Sequence, residues 1–430
     1  MATTLPDDAS RLSAPRQLTY WKRCLKTYLP HLYTSNDCNR MTLAFFIVSG
    51  LDLLGALHDA STEQERADYI DWVYRNQHPD GGFRASPAMD LAGARTADNG
   101  HWDPANLPAT LFALQTLLIL GDDLQRVKRR ECLQWLPRLQ RAEDGSFGET
   151  LGEGGRIEGG HDTRFIYCAA GVRWILRGSS VEGEVDGAQD VDVDAVVRCI
   201  RASETYDGGI SEAAYHEAHA GFTYCAIGAL ALLGRLPSNA GSPPVSDDPV
   251  VGMSDPELTA RWLVARQTLV LDEEDIIDMS DGDDTNAAKT PADAPQVVKL
   301  HSLPSQPGDQ EASAPQFDLL NWAGFNGRCN KIADTCYAWW VGGSLSMLGK
   351  IHLTSRSATR RYLLDKTQHL VGGFGKMPGD PPDIYHSFLG LAALSLLDEP
   401  GVKPIRAAAC LSEHACQFLE SLPWRKQITG

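Results

Sequence analysis

The sequence lacks the features that would place it in a membrane or on a nucleic acid. No run of about 18 apolar residues exists, so a membrane-spanning helix is not expected. The first fifteen positions, MATTLPDDASRLSAP, lack a basic region followed by an apolar one, so no secretory signal is expected. Lysine and arginine number 39 against 56 acidic residues, which gives a net charge of −17. This balance excludes a general nucleic-acid binder, because such proteins neutralise phosphates with basic side chains.

Regular cysteine spacing is also absent. The chain of 430 residues has 10 scattered cysteines, and several of them, such as Cys168 and Cys225, lie in apolar stretches. In a chain of this length without an export signal, they are expected to be reduced thiols of the core, with one or two available for chemistry. The predicted compartment is the cytoplasm.

What the sequence does contain is a repeat. A helical stretch that often ends near a glutamine is followed by a glycine turn and then by an aromatic or apolar residue. The turns fall at 80–83, 144–147, 207–210 and 372–374, with a delayed copy at 324–325.

Apolar helices rich in small residues follow most of these turns. Six are predicted, at 41–57, 107–121, 162–176, 219–234, 334–349 and 385–397. More amphipathic helices alternate with them and begin near residues 16, 63, 127, 192, 255 and 357. Because a helix that is apolar nearly all round must be buried, the first set is expected to form an inner ring and the second an outer ring. The predicted fold is all-α, an α/α toroid of six inner and six outer helices that forms a single domain over 1–430.

Three segments break the pattern, at 180–196, 238–251 and 268–317. They are acidic or rich in serine and proline, and we predict that they are surface inserts, the last of them disordered. Their acidic excess equals the whole net charge, so the ring itself is expected to be close to neutral. Asp281 to Asp284 in the last insert match the DxDD motif of protonation-type terpene cyclases. A catalytic acid needs a fixed, desolvated position, so we interpret the match as a coincidence.

Candidate metal ligands stand at the entries of two apolar helices, which in a toroid face one mouth of the ring. Asp334 and Cys336 are two residues apart at one entry, and His386 lies at another. A carboxylate, a thiolate and an imidazole make a three-ligand zinc site with an open fourth position, the arrangement of catalytic zinc. The alternative is that Asp334 only caps its helix and Cys336 only packs in the core.

Positive and hydrogen-bonding groups surround these candidates, namely Arg328, Lys331, Tyr337 and His219. In so acidic a protein, such a cluster at one mouth predicts an anionic substrate such as a diphosphate. The alternative is a set of solvated rim charges that pair with nearby acids. Below the rim, aromatic side chains on the apolar helices suit a long apolar ligand, although helix-spaced aromatics are usually core. These aromatics are Phe45, Phe46, Phe165, Tyr167, Phe222, Tyr224, Trp339 and Trp340.

With these residues assembled, the chain resembles the β subunits of protein prenyltransferases over nearly its whole length outside the inserts. The stretches that carry the resemblance are GRCNKIADTCYAWW, HAGFTYCAIGAL, DTRFIYCAAG and GGFGKMPGDPPDIYHSF. The resemblance implies the same toroid of six plus six helices. It also implies a zinc-dependent transfer of an isoprenoid from its diphosphate to a cysteine near the C-terminus of an acceptor protein.

The resemblance assigns roles to particular residues. It implies one Zn²⁺ per chain, held by Asp334, Cys336 and His386, and diphosphate binding by the four residues of the positive cluster. It implies a lipid cavity lined by Arg164, Tyr167, Phe222, Cys225 and Trp340. It further implies an obligate heterodimer with a helical-repeat α subunit, which contributes a lysine to the diphosphate site.

Two positions indicate the geranylgeranyltransferase type I branch of the family. Thr42, near Phe46 in the segment 39–46, falls where farnesyltransferases carry a tryptophan that shortens the lipid cavity. Lys376 falls where farnesyltransferases carry a magnesium-binding aspartate, so Mg²⁺ is not expected to be required. The expected acceptors are C-terminal C-a-a-X peptides, with X mostly leucine, of Rho-type small GTPases. Tyr385 and Leu389 depart from the type I pattern and put strict selectivity for leucine in doubt.

Other functions remain as alternatives at this stage. A farnesyltransferase β subunit is the nearest one, and a Rab-type β subunit is less favoured because it lacks the lysine at 376. A terpene cyclase would need a buried DxDD motif, and a non-catalytic toroidal binding domain would need no metal.

Overall fold

The computed structural model describes residues 11–178, 184–236, 252–271 and 321–429. The α-helices in these ranges are α1 (Ala14–Lys26), α2 (Arg40–Leu53), α3 (Leu57–Ala60), α4 (Glu63–Arg75), α5 (Leu107–Ile119), α6 (Arg129–Trp135), α7 (Thr163–Leu176), α8 (Val193–Ala202), α9 (Ala220–Leu232), α10 (Pro256–Val264), α11 (Thr335–Met347), α12 (Arg356–Arg361), α13 (Ile384–Leu396), α14 (Glu413–Ser421) and α15 (Pro423–Thr429). None of the helices in this part of the chain combines the length and the apolar content needed to cross a bilayer.

Short strands join the helices as four antiparallel pairs. They are β1 (Thr150–Leu151) with β2 (Ile157–Glu158), β3 (Gln267–Thr268) with β4 (Gly324–Phe325), β5 (Phe374–Gly375) with β6 (Pro382–Asp383), and β7 (Ile405–Arg406) with β8 (Leu411–Ser412). The strands belong to the turns between helices, so the fold class is all-α, as the sequence predicts.

The apolar helices form a closed inner ring. Helices α2, α5, α7, α9, α11 and α13 each contact the next one, and α13 contacts α2. Their side chains are almost all buried; in α7 every side chain except that of Arg164 is buried. The six predicted apolar helices are therefore confirmed, and their burial within a ring explains why they need no polar face.

The outer helices α1, α4, α6, α8, α10 and α12 begin close to the predicted positions. The first glycine of a turn packs closely against the backbone of the outer helix of the next repeat. Gly81 has φ +103°, and a Cβ there would lie 2.3 Å from the carbonyl oxygen of Glu131 in α6. Gly372 has φ +90°, and a Cβ there would lie 2.1 Å from the carbonyl oxygen of Arg16 in α1. The last repeat thus packs on the first helix, which closes the ring.

Five of the inner helices begin with a side-chain cap at the same end of the ring. Asn106, Asp162, His219, Asp334 and Asp383 each accept a hydrogen bond from a backbone N–H in the first turn of their helix. Capping satisfies amides that the helix itself leaves without a partner. As a result, polar and titratable side chains gather at this rim, while the walls of the ring stay apolar.

The predicted inserts are only partly described. Residues 238–251, and 268–317 beyond Leu271, lie outside the described ranges, and so does the DxDD match. The segment 180–196 ends earlier than we predicted, since Ala188 and Val191 are buried and Asp190 forms ion pairs with Arg173 and Arg177. The two buried guanidinium groups neutralise Asp190, so this part of an acidic segment can lie against the core. The delayed turn is explained as well, because β3 and β4 pair across the long segment between them.

Candidate metal centre and anion site

Three side chains that can bind a metal meet at the rim between α11 and α13. The ligand atoms of Asp334, Cys336 and His386 all lie within 4.8 Å of one another, and the first two residues are buried. Asp334 Oδ1 lies 3.3 Å from His386 Nε2. Two ligand atoms bound tetrahedrally at about 2.0 Å from one zinc ion are about 3.3 Å apart, so these residues fit a three-ligand zinc site.

The first turn of α11 fixes two of these ligands. Asp334 Oδ1 accepts a hydrogen bond of 2.8 Å from the backbone N–H of Cys336. The N–H of Thr335 donates to the carbonyl of Lys376 at 2.9 Å, and its hydroxyl donates to the carbonyl of Gly375 at 2.7 Å. Asp334 therefore does cap its helix, but a carboxylate has further lone pairs and can also bind a metal. The two interpretations of this residue are compatible.

Asp383, which the sequence analysis did not single out, orients the third ligand. It caps α13 by accepting from the N–H of His386 at 2.8 Å, and its other oxygen lies 2.6 Å from His386 Nδ1. A carboxylate at Nδ1 keeps the proton there and leaves Nε2 free to bind a metal. The signal in the sequence was an aspartate three positions before a histidine at the start of an apolar helix.

The charges of this cluster stabilise one another against burial. Burial alone would raise the pKa of Asp334, but the hydrogen bond and charge of His386 hold it below its usual value. Burial alone would lower the pKa of His386, but Asp334 and Asp383 raise it to about 9. Burial and the charge of Asp334 raise the pKa of the Cys336 thiol well above its usual value. That thiol would ionise near neutral pH only with a bound cation, which is how metal binding displaces a thiol proton.

A histidine and a tyrosine form a second fixed unit, between α9 and α11. Nδ1 of His219 accepts from the N–H of Gly221 at 3.0 Å, so Nε2 is the protonated nitrogen. Nε2 lies 3.0 Å from the hydroxyl of Tyr337 and donates to it. The hydroxyl hydrogen of Tyr337 is then free to donate to a ligand. Burial and the nearby Arg328 lower the pKa of His219 to about 4, so the ring is neutral at physiological pH.

The loop 326–331 packs closely against this unit. A Cβ at Gly327 would lie 2.1 Å from the ring of Tyr337, so only glycine permits the approach. The carbonyl of Gly327 accepts from the N–H of Ala220 at 2.9 Å. The side-chain amide of Asn326 closes the loop by donating to the carbonyl of Lys331 at 2.8 Å.

The cationic side chains at this rim are more exposed than the loop backbone that carries them. Arg328 pairs with Glu217 at 3.0 Å, and both side chains are exposed. Lys331 and Lys376 are exposed as well. Lys376 is tied to the start of α11 by its carbonyl, and its charge acts to lower the pKa of Cys336. The predicted cations thus stand on loops that adjoin both the His219–Tyr337 unit and the metal-ligand cluster.

Aromatic rings continue from the metal-ligand cluster along the inside of the ring. Tyr385 lies against His386, with ring centroids 5.0 Å apart. Successive centroid distances then join five inner helices: Phe46–Tyr385 at 5.8 Å, Tyr385–Trp340 at 6.4 Å, Trp340–Tyr224 at 4.9 Å and Tyr224–Tyr167 at 5.6 Å. Cys225 is buried beside this series, and Thr42 is half-buried in the first turn of α2. The predicted lining residues on these helices are thus brought together.

Arg164 differs from the other predicted lining residues. It forms a two-point ion pair with Asp162, at 2.7 and 3.0 Å, and its guanidinium lies 5.5 Å from the ring centroid of Phe222. Its side chain is 62% exposed, so it belongs to the rim rather than to the apolar wall. The sequence analysis also passed over Phe112, whose ring stacks on Phe45 with centroids 4.9 Å apart. Its apolar helix gave no signal to separate it from ordinary core.

The ring of apolar helices and the candidate metal ligands at its rim are typical of the prenyltransferases. Comparison with known families agrees with this class. The model of the prenyltransferase α/α toroid domain matches residues 12–411, so the chain belongs to this family of enzymes.

Two relatives and one solved structure show which members of the family this chain is similar to. The chain is 31% identical over 391 residues to the geranylgeranyl transferase type-1 β subunit of Arabidopsis thaliana, covering 88% of this chain and 83% of the relative. It is 28% identical over 414 residues to the subunit of the same name from Dictyostelium discoideum, covering 92% and 94%. A solved structure titled Candida albicans protein geranylgeranyltransferase-I complexed with GGPP is similar in fold. It has a TM-score of 0.72 and 26% identity, covering 96% of this chain and 99% of that one.

Proposed function

We propose that this chain acts as the β subunit of a protein geranylgeranyltransferase type I. It would transfer a geranylgeranyl group from geranylgeranyl diphosphate to the cysteine of C-terminal C-a-a-X sequences. The observation that carries the proposal is the Asp334–Cys336–His386 cluster, which stands beside cationic loops at one end of an aromatic-lined ring. The names of the two relatives and of the solved structure support the choice of lipid.

Zn²⁺ is the metal that suits this donor set, with Asp334, Cys336 and His386 as its ligands. Bound there, it would hold the thiol of the acceptor cysteine as a thiolate near neutral pH, where a free thiol with a pKa of about 8.5 is mostly protonated. Asp383 keeps the proton of His386 on Nδ1, and the cap at Asp334 fixes the start of α11.

The diphosphate would leave from the rim between α9 and α11. Tyr337 has a hydroxyl hydrogen to donate, because His219 already donates to its oxygen. The charges of Arg328, Lys331 and Lys376 would stabilise the negative charge that develops on the leaving group. Because Lys376 supplies positive charge directly, we propose that Mg²⁺ is not required. The apolar wall, with Thr42, Phe46, Trp340 and Tyr385, would hold the isoprenoid and exclude water.

The remaining parts of the proposal concern partners and setting. We propose an obligate heterodimer with a prenyltransferase α subunit, Rho-type small GTPases as acceptors, and a cytoplasmic location. We also propose that 1–430 forms a single domain, with 238–251 and 268–317 as inserts. A protein farnesyltransferase β subunit is the second candidate, favoured by one observation, the aromatic Tyr385 packed against Phe46 and His386.

A paired-lipid assay tests the proposal. The chain is co-expressed with an α subunit, and transfer to C-a-a-Leu peptides is measured with farnesyl and geranylgeranyl diphosphate, with and without added Mg²⁺. We expect higher kcat/KM with geranylgeranyl diphosphate and no requirement for Mg²⁺. Preference for farnesyl diphosphate together with a strict magnesium requirement would instead identify a farnesyltransferase.

A further inference from the structure

The start of helix α13, which carries His386, is held by a side chain that lies far away in the sequence. The hydroxyl of Tyr33 accepts a hydrogen bond of 2.8 Å from the backbone N–H of Ile384, the first residue of α13. The two residues are 351 positions apart. Ile384 is buried, so its N–H, which the helix itself leaves without a partner, needs an acceptor from elsewhere in the protein.

In four other inner helices, the equivalent contact is made by a backbone carbonyl. An N–H in the first turn of each helix donates to a carbonyl of the segment that leads to the next inner helix of the ring. The pairs are Met41 with Ala85 at 3.0 Å, Leu107 with Glu149 at 2.8 Å, Ala220 with Gly327 at 2.9 Å, and Thr335 with Lys376 at 2.9 Å. These ties belong to the backbone and do not depend on the side chain at the accepting residue.

Tyr33 takes the corresponding place where the ring closes. Helix α13 contacts α2, and the segment that leads into α2 is a 3₁₀ helix (His31–Asn39) that contains Tyr33. None of the nine residues of this 3₁₀ helix is buried, and Tyr33 is half-buried. A segment that buries so little surface is expected to be among the less stable parts of a fold. At this one junction, the start of a buried inner helix is therefore tied to the next segment by a side-chain hydroxyl.

The residue that Tyr33 holds lies between Asp383 and His386 in the first turn of α13. Asp383 accepts from the N–H of His386 at 2.8 Å, and its other oxygen lies 2.6 Å from His386 Nδ1. Asp383 thus orients the histidine ring, but it belongs to the same turn and moves with it. Tyr33 lies outside α13, so its hydrogen bond fixes the turn relative to the neighbouring segment of the ring.

The same turn is tied to α11 from its other side. Strand β6 ends at Asp383 and pairs with β5, and the carbonyl of Gly375 in β5 accepts from the hydroxyl of Thr335 at 2.7 Å. The start of α13 is therefore held between α11 on one side and Tyr33 on the other. Because a metal site needs fixed distances between its ligands, the position of this turn matters for the whole cluster.

We propose that Tyr33 is a positioning residue for the metal centre: its hydroxyl holds the first turn of α13 and thereby places His386 relative to Asp334 and Cys336. The proposal rests on the proposed function, because it takes this cluster to be the zinc site. Without the hydroxyl, the buried N–H of Ile384 loses its acceptor. An unpaired buried N–H is unfavourable, so the turn would shift towards another partner and carry His386 with it.

The variant Tyr33→Phe tests this role, because it removes the hydroxyl and keeps the ring. The zinc affinity of the heterodimer is measured by competition with a chelator, and the thermal midpoint is measured beside it. We expect the affinity to fall about tenfold, the lower end of the range for groups that orient metal ligands, since Asp383 still holds Nδ1 of His386. Tyr28→Phe, at a fully exposed tyrosine five positions earlier, is the matched control and should keep the wild-type affinity.

A spectroscopic measurement separates positioning from stability. Co²⁺ is loaded into the zinc-free complex, and its visible absorption reports the geometry of the bound ligands. We expect this spectrum to change in Tyr33→Phe and to remain that of the wild type in Tyr28→Phe. A loss of stability alone would lower the thermal midpoint without altering the spectrum of the folded complex.

The outcomes separate the two proposals. Unchanged zinc affinity and an unchanged Co²⁺ spectrum in Tyr33→Phe would overturn the positioning role, whatever happens to the thermal midpoint. A wild-type complex that binds no zinc would count against the metal centre of the proposed function, and the role of Tyr33 would fall with it.

Discussion

The two histidines beside α11 have opposite electrostatic surroundings. His386 stands between Asp334 and Asp383, which overcome burial and raise its pKa to about 9. His219 is half-buried, and this desolvation together with the charges of Arg328 and Arg164 lowers its pKa to about 4. The surroundings of the first histidine suit a cation, and those of the second suit an anion. The rim thus surrounds one histidine with carboxylates and places guanidinium groups near the other.

The two sites also differ in rigidity. The candidate metal ligands are fixed by helix caps and by a carboxylate on the histidine, whereas Lys331 and Lys376 are exposed and Arg328 is half-exposed. A metal site needs fixed distances, because coordination geometry decides affinity. A leaving group has to be bound and then released, which long, solvated cations allow. The comparison therefore predicts sharp losses from changes on the metal side and graded effects on the anion side.

The largest effect is expected from Cys336→Ala. The variant loses the only thiolate ligand of the cluster, so about one equivalent of zinc per heterodimer should disappear and transfer activity with it. Metal analysis of the purified complex measures this loss. Cys329→Ala, at an exposed cysteine seven positions earlier, is the control and should retain its zinc. Zinc content unchanged in Cys336→Ala would contradict the proposed ligand set.

Tyr337→Phe tests the anion side by removing the hydroxyl that can donate to the leaving group. Loss of one such donor typically costs about 10²–10³-fold in kcat, and we expect the lower end because cations remain nearby. Single-turnover kinetics should show the loss in the chemical step, with zinc content unchanged. Tyr215→Phe, at a fully exposed tyrosine of the same rim, is the control. Equal rates for both variants would exclude Tyr337 from this role.

Asp383→Asn separates the capping role of this residue from its electrostatic role. Asparagine can still cap α13, but it lacks the charge that orients His386. We expect zinc affinity to fall about 10–100-fold, as for other changes to the partners of metal ligands. Competition with a zinc chelator measures the affinity. Asp192→Asn, at the cap of α8, should leave the affinity unchanged.

Lowering the pH should reduce the free energy of unfolding through the protonation of His219. Its pKa of about 4 in the folded chain lies below the value of about 6.5 expected when unfolded, so the unfolded state binds the proton more tightly. The stability that neutral His219 contributes is present above about pH 6.5 and is lost as the pH falls towards 4. The urea midpoint of His219→Gln should therefore fall less than that of the wild type over this interval. A parallel decline of the two midpoints would rule out this contribution.

The smallest effect is expected from Glu217→Gln, which frees Arg328 from its exposed partner. Such surface ion pairs contribute about 0.2–1 kcal/mol, so diphosphate binding should tighten by a factor between about 1.4 and 5 at low salt and by less at high salt. Titration with inorganic pyrophosphate measures the change. Glu212→Gln, at an acid that lies 3.8 Å from His216, is the matched control. Weaker binding in Glu217→Gln would show that Glu217 supports Arg328 rather than competing for it.

Much of the fold could be predicted from the sequence because a toroid repeats one local pattern. Helix α9 is apolar nearly all round and α1 is amphipathic, and that contrast alone assigns one to the inner ring and the other to the outer ring. The segment 180–196 was harder to predict, because its acids resemble those of a solvated loop. Only the buried guanidinium groups of Arg173, in α7, and Arg177, just after it, explain why Asp190 lies against the core.

The candidate site could be predicted in part for a similar reason. Asp334, Cys336 and His386 each stand at the start of an apolar helix, where a polar side chain needs an explanation. Asp383 could not be predicted in this way, because it looks like an ordinary helix cap.

The sequence by itself determined which helices are buried, where each begins, and which side chains gather at the rim, because apolar periodicity and helix caps are local properties. Only the tertiary structure decided that α13 packs on α2, that Nε2 of His386 faces Asp334, and that the distant strand β8 packs on α2. These features depend on contacts between residues up to about 360 positions apart, such as Asp52 with Ser412. No local pattern encodes such contacts, since they form only when the ring has closed.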